Sequence, residues 1–190
     1  YNYEKSNFYL NISNYLNPKF KFNLTLLAEN YYLNKNYKKA LKTLEYFDKK
    51  DDFYYWFKIK KQAQIIAKEK NKKDSINFIN EEFQKIRSPS IKMIFDVANF
   101  NKNSQKYKNA INFYSQIISM IDHNSDIYAN ILYRRGSSYE RLGDYLKSDK
   151  DFLKSLEINP DDVYVLNYLA YSWLERDYKI DTAIAMLEKA

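Results

Sequence analysis

Few side chains in this sequence could take part in covalent or metal chemistry. There is one histidine, His123, and no cysteine. A disulfide, a thiolate zinc site and a cysteine nucleophile are therefore all absent, and the redox compartment stays open. His123 lies in the polar stretch around Asp122–Asp126 and reads as a solvated loop residue, not a catalyst or ligand. Carboxylates come as adjacent pairs, Asp51-Asp52, Glu81-Glu82 and Asp161-Asp162. At helix ends, capping and favourable interaction with the helix dipole account for such pairs without acid–base chemistry. No G-x-x-x-x-G-K-[ST], G-x-G-x-x-G or H-E-x-x-H occurs. The expectation is a non-enzyme with no catalytic residue, metal or cofactor.

The elements that carry these groups are long helices joined by short turns. Of 190 residues, 45% are hydrophobic and 18% aromatic, which excludes a disordered polar chain. Two glycines and three prolines are too few for a loop-rich β-sandwich or for nucleotide-cradling loops. No apolar run is long enough to span a membrane. The net charge of +7 is unevenly spread: residues 1–110 hold 22 Lys and Arg against 11 Asp and Glu, and residues 111–190 hold 9 against 13. A basic first half steers acidic partners. Abundant Lys, Asn, Tyr and Ile beside scarce Arg are explained more simply by AT-rich codon usage.

The stretch Ala129–Asp162, ANILYRRGSSYERLGDYLKSDKDFLKSLEINPDD, holds both glycines and Pro160. Its spacing is Leu132-x2-Arg135-Gly136-x2-Tyr139, then Ser148-x3-Phe152, then Pro160. The same pattern recurs along the chain. One set of small residues is Ala28, Ala63, Ala98, Gly136 and Ala170, at steps of 35, 35, 38 and 34. A second set is Ala40, Ser75, Ala110, Ser148 and Ala183, at steps of 35, 35, 38 and 35. Both sets lengthen together at the one irregular step, which chance periodicity does not do. The extra residues fall around Asp122–Asp126. Small residues at these positions let two antiparallel helices approach to about 8–10 Å.

These motifs resemble the tetratricopeptide repeat, a helix-turn-helix unit of about 34 residues. Arg135 stands where the family expects Leu, and Ser148 is the small residue opening the second helix. The resemblance implies an all-α fold, a right-handed superhelical solenoid of antiparallel helix pairs with about 11 helices. It divides the chain into a half repeat (1–18), full repeats at 19–53, 54–89, 90–125 and 126–162, and a truncated repeat at 163–190 within a single solenoid. Starting at Tyr1 rather than Met, and in mid-repeat, the chain reads as a piece of a larger bacterial protein. The expected turns include Asn34-Lys35-Asn36, with Asn in left-handed and capping positions, and the stretch near Lys70–Lys73. Asp51-Asp52, Ser88-Pro89-Ser90 and Asp181 are expected at helix starts.

In this family the first helices of successive repeats line a concave groove, and the resemblance implies that groove as the binding surface. The facing residues here are Phe57, Lys60 and Gln64; Phe95 and Asn99; Asn130, Tyr133 and Ser137; and Tyr164, Asn167 and Tyr171. Aromatic platforms interleaved with amides and hydroxyls suit a peptide or a partner helix. The alternative is that these aromatics pack between repeats. Some relatives grip a chaperone's C-terminal carboxylate with Lys, Asn and Arg. The corresponding set here is Lys60, Gln64, Asp96, Asn130 and Arg134, of which only Lys60 and Arg134 fit, so that clamp is rejected.

The expected function is a protein–protein interaction scaffold with a protein or peptide partner. Two other readings compete with it. A 35-residue helical period also belongs to pentatricopeptide repeats that read RNA, but the acidic second half disfavours nucleic acid. Exposed apolar solenoid ends, through the Leu10 and Leu187 helices, would allow self-association. The resemblance is compatible with a cytoplasmic or a periplasmic, envelope-associated location.

Overall fold

The computed structural model describes residues 2–190, and all regular structure among them is α-helical. The chain divides into two units, one ending at Ile86 and the other covering Arg87–Ala190. The first holds α1 (Tyr3–Leu16), α2 (Phe22–Leu33), α3 (Tyr37–Leu44), α4 (Asp52–Glu69) and α5 (Lys72–Gln84). The second holds α6 (Ile91–Asn103), α7 (Tyr107–Ile118), α8 (Asp126–Glu140), α9 (Tyr145–Ile158), α10 (Val163–Leu174) and α11 (Ile180–Lys189). Helices pack in chain order as α2 with α3, α4 with α5, α6 with α7, α8 with α9, and α10 with α11. Connections of a few residues leave no route except an antiparallel return, so each pair is a hairpin. In the second unit α7 packs on α8 and α9 on α10, which stacks successive hairpins into an all-α solenoid.

All ten small marker residues are buried. Ala28, Ala40, Ala63, Ala98, Ala110, Ser148, Ala170 and Ala183 have no exposed surface, Ser75 has 4%, and Gly136 is buried as well. At Gly136 the reason is direct: a Cβ there would stand 3.1 Å from the Phe152 ring and 3.2 Å from Asp151 Cβ. The neighbouring Arg135 crosses the same contact. Its Nε and Nη2 donate to Asp151 at 2.7 and 2.8 Å, and Nη1 donates to Ser115 Oγ at 3.0 Å. The residue in leucine's place thus ties α8 to α9 by a part-buried ion pair and α8 to α7 by a hydrogen bond.

Four of the hairpin turns share one backbone solution. Lys35, Gln105, Gly143 and Asp177 each follow their small marker by seven residues, and each has positive φ, between 51° and 76°. The next residue's N–H reaches back to a carbonyl five residues earlier: Asn36 to Tyr31, Lys106 to Asn101, Asp144 to Tyr139 and Tyr178 to Trp173, at 2.8–3.0 Å. This is the Schellman closure, in which a left-handed residue lets the orphan carbonyls of a helix end find donors. The left-handed residue in the first of these turns is Lys35, where asparagine was expected; Asn36 instead caps α3 by accepting from Lys39 N. The α4–α5 turn does without a left-handed residue. There Asn71 caps α5 by accepting from Asp74 N at 2.8 Å.

Asp51 caps α4 through Phe53 N and Tyr54 N, and Ser90 caps α6 through Met93 N. Asp181 differs from its expectation. The helix starts one residue earlier at Ile180, after Lys179 in left-handed conformation, and Asp181 sits in the first turn. From that place a carboxylate still favours the helix dipole. Leu24, Ala28, Ala40, Leu44, Phe47 and Ile65 form one core cluster of the first unit. Around Phe152, Leu169, Ala170, Trp173 and Ala183 the last two hairpins of the second unit close on each other.

Candidate functional site

The acidic pairs are occupied by the architecture. Asp51 and Asp162 cap α4 and α10, and Glu82 accepts from the Tyr55 hydroxyl at 3.0 Å while pairing with Lys85. His123 is exposed, its ring stacked on Tyr128 at 4.5 Å, with Nε2 3.0 Å from the Ile118 carbonyl. Among the described residues no group of His, Cys, Asp and Glu has the arrangement to hold a metal ion.

The expected groove residues lie on α4 in the first unit and on α6, α8 and α10 in the second. On α4, Phe57 is half-buried and packs edge-on against Phe47 as part of that unit's core. Gln64 keeps a buried Oε1 with no hydrogen-bond partner among the described residues, and Lys60 is half-buried. Nearby, Lys61 is buried and paired to Glu29 at 2.5 Å, with the Tyr32 ring 4.4 Å from its ammonium.

In the second unit α6 and α8 bring their residues together around Arg134. Its Nε donates to Asn130 Oδ1 at 2.8 Å and its Nη1 to Asn99 Oδ1 at 3.2 Å, and the guanidinium lies 4.9 Å from the Phe95 ring. Asn99 Oδ1 also accepts from the Tyr114 hydroxyl at 2.7 Å. Burial pushes the Tyr114 phenol up to about 12, so it stays a neutral donor and fixes the orientation of the Asn99 amide. Beside this set, Ile91, Phe95, Ile127 and Ile131 wall an apolar pocket of about 400 Å³ with Asn130 at its edge.

The remaining residues separate by exposure. Tyr164 and Tyr171 on α10 are 77% and 59% exposed, whereas Asn167 is half-buried. Tyr133 is half-buried, its ring 6.0 Å from those of both Phe152 and Tyr168. Ser137 is 1% exposed. Its hydroxyl accepts from Lys102 Nζ and donates to the Arg134 carbonyl, so it supports the surface from behind. Sequence reasoning missed Lys102 and the pocket isoleucines. A usable signal existed for the first: Lys102 stands three residues after Asn99 on one helix face. It also lies 35 residues before Ser137, the same separation as Asn99 from Arg134.

Lys102 is the most perturbed cation of this surface. Burial, with Arg134 and Arg141 nearby, pushes its amine down to about 8. Among the described residues neither Lys102 nor Arg134 has a carboxylate in ion-pair range.

Residues 129–162 match the family model for the tetratricopeptide repeat. No curated protein matches the chain in sequence. Among solved structures the chain is similar to the crystal structure of MamA, at 15% identity over 86% of this chain and 91% of that one, with TM-score 0.62. It is similar to MamA from Desulfovibrio magneticus RS-1 at 14% identity, covering 89% and 92%, with TM-score 0.66. The C-terminal part of a TPR repeat-containing protein from Cytophaga hutchinsonii is similar at 20% identity over 99% of this chain and 72% of that one, with TM-score 0.68. At these identities the likeness concerns the fold.

Proposed function

From the premise that the chain is a tetratricopeptide-repeat protein, we propose that it is an interaction scaffold capturing a peptide or protein partner on its first-of-pair helices. The carrying observation is the open surface of α6, α8 and α10, where a roughly 400 Å³ apolar pocket adjoins the Arg134 amide cluster. Apolar pockets bordered by a few fixed polar groups suit side-chain recognition, with aromatics such as Tyr164 and Tyr171 as amphipathic contacts. On this reading Phe95, Asn99, Asn130, Tyr164, Asn167 and Tyr171 meet the partner, and Tyr133 and Ser137 hold them in place. Phe57, Lys60 and Gln64 form a separate contact face on the first unit. On the same reading the repeats divide at 19–53, 54–89, 90–125, 126–162 and 163–190, although α4 begins at Asp52, two residues before its division. Among the described residues no helix is long and apolar enough to cross a membrane.

The test uses a photoreactive residue in place of Tyr164 or Tyr171, with crosslinks mapped on the partner. Tyr164→Ala combined with Tyr171→Ala should weaken the interaction about tenfold without lowering the melting temperature, since both rings are solvent-exposed. Unchanged binding by that double variant, with crosslinks elsewhere, would remove the groove assignment. The Tyr133→Ala variant is a poor choice because it also opens the packing against Phe152.

A further inference from the structure

The α2–α3 and α8–α9 hairpins fill the same register positions differently. Around α8, Arg135 stands one residue before the small marker Gly136, Asp151 three after Ser148 and Ser115 five after Ala110. Arg135 reaches the other two across α7, α8 and α9 through hydrogen bonds of 2.7–3.0 Å. Counting back 34 residues from Ala40 places a further small marker at Ser6 on α1. The same offsets from Ser6, Ala28 and Ala40 then give Asn11 on α1, Leu27 on α2 and Thr43 on α3. Here no guanidinium or carboxylate bridges the helices. A pocket of about 320 Å³ opens instead, with Asn11, Leu27 and Thr43 among its walls.

The charge in those walls has one sign. Lys39 and Lys42 of α3 line the pocket, and no carboxylate does. Their register counterparts on α9 are Lys147 and Lys150. The correspondence holds in space, since Lys39 lies 5.7 Å from the Tyr31 ring and Lys147 lies 5.5 Å from that of Tyr139. Lys147, however, pairs with Asp144 at 2.7 Å, whereas Asn36 stands at Asp144's position and Thr43 at that of Asp151. The lysines are kept and the carboxylates are not. Among the described residues Lys39 and Lys42 form no ion pair, and the exposed Glu45 that follows α3 meets neither.

The pocket also lies away from the groove. On α2 its residues Leu24, Leu27 and Tyr31 are turned from Phe22, Thr25 and Glu29, the counterparts of Asn130, Tyr133 and Ser137, at about 100° per residue. Its volume is at the small end of the roughly 300–1,000 Å³ typical of small-molecule sites. Leu24 and Leu27 give it an apolar floor. Two ammonium groups one helical turn apart match a phosphate monoester, which carries about −1.5 to −2 charges at pH 7. Lysine binds such a group as a point charge, whereas the flat fork that suits a carboxylate belongs to arginine.

We propose that the α1–α2–α3 pocket binds a small-molecule phosphate monoester, its dianion between Lys39 and Lys42 and its apolar body on Leu24 and Leu27. The site is separate from the partner surface of the second unit and independent of the scaffold reading.

The experiment titrates the whole chain with phenyl phosphate, inorganic phosphate and benzoate, followed by calorimetry and amide NMR shifts. Phenyl phosphate should bind saturably, at least about tenfold tighter than the other two, and move amides of α1–α3. Its affinity should rise several-fold from pH 5 to pH 7, as the second phosphate proton leaves near pH 6. Lys39→Gln and Lys42→Gln should each weaken binding about tenfold with unchanged melting temperature, since both side chains are exposed. Thr43→Asp, which restores the carboxylate of the other hairpin, should abolish binding. Thr43 is 6% exposed, so the two lysine variants carry the test if that variant folds poorly. Lys150→Gln, the counterpart of Lys42→Gln, should change nothing. Absence of saturable binding overturns the proposal, and so does equal loss in Lys150→Gln, which would mark diffuse charge attraction. Equal affinity for benzoate or inorganic phosphate also overturns it. A phosphotyrosine peptide that binds far more tightly than phenyl phosphate would make the ligand a protein segment and overturn the small-molecule assignment.

Discussion

Two lysines, one in each unit, occupy similar surroundings and resolve their charge in opposite ways. Lys61 of the first unit is 5% exposed, faces the Tyr32 ring and is neutralised by Glu29. Lys102 of the second unit faces the Tyr133 ring, bonds a serine hydroxyl and has two arginines as electrostatic neighbours. The first is a closed arrangement in which the protein supplies its own counter-ion. The second has no carboxylate counter-ion among the described residues. A desolvated cation without a counter-ion lowers stability.

The comparison can be broken most forcefully at the compensated end. Asp151→Ala strands Arg135 among α7, α8 and α9 and should cost about 3–5 kcal/mol in urea or thermal unfolding. A loss near zero would mean that the ion pair contributes nothing net. Glu29→Ala should cost less, about 2 kcal/mol, since Glu29 is 39% exposed and water compensates part of the loss.

At the uncompensated end the sign reverses. Lys102→Met should stabilise the protein by about 1 kcal/mol at pH 7, a value discounted for partial exposure. Because the folded amine titrates near 8, below the unfolded value of about 10.4, the unfolded chain binds more protons between these limits. Parent stability therefore gains from Lys102 deprotonation as pH rises through that window, and the advantage of Lys102→Met should vanish by about pH 10.5. Paired melts of parent and variant at pH 7 and pH 10 check this, since the tyrosine titrations are common to both. An advantage that persists at pH 10 would assign the effect to packing instead.

The smallest effect concerns the turns. Gln105→Gly should stabilise by about 0.5–1 kcal/mol, relieving a non-glycine residue at φ 60°. The reverse change, Gly143→Ala, should destabilise by a similar amount; a Cβ there meets nothing within 4 Å, so backbone strain alone decides.

Much of the hairpin architecture was legible because small residues at two coupled positions are a steric requirement of helix approach. Ala98, Gly136 and Ala170 declared themselves by spacing and are all buried. The site was less legible. Phe95 and Asn130 were found from their place on the first helices, but Ile91, Ile127 and Ile131 looked like ordinary helical apolar residues until two helix starts enclosed them. Tyr133 on α8 and Tyr164 on α10 are the same residue type about one turn apart in the repeat register, and only packing separates a half-buried ring from an exposed one.

By itself, then, the sequence determined the helical class, the hairpin period and the poverty of catalytic groups, because each depends on residue types at short, regular separations. Tertiary structure decided the electrostatics. Whether a lysine finds a glutamate or a serine depends on which helix faces lie together across about 35 residues. Local patterning carries no information about that pairing. Arg135 shows the point best: at leucine's position in the motif it reads as a mismatch, and in the fold it joins three helices.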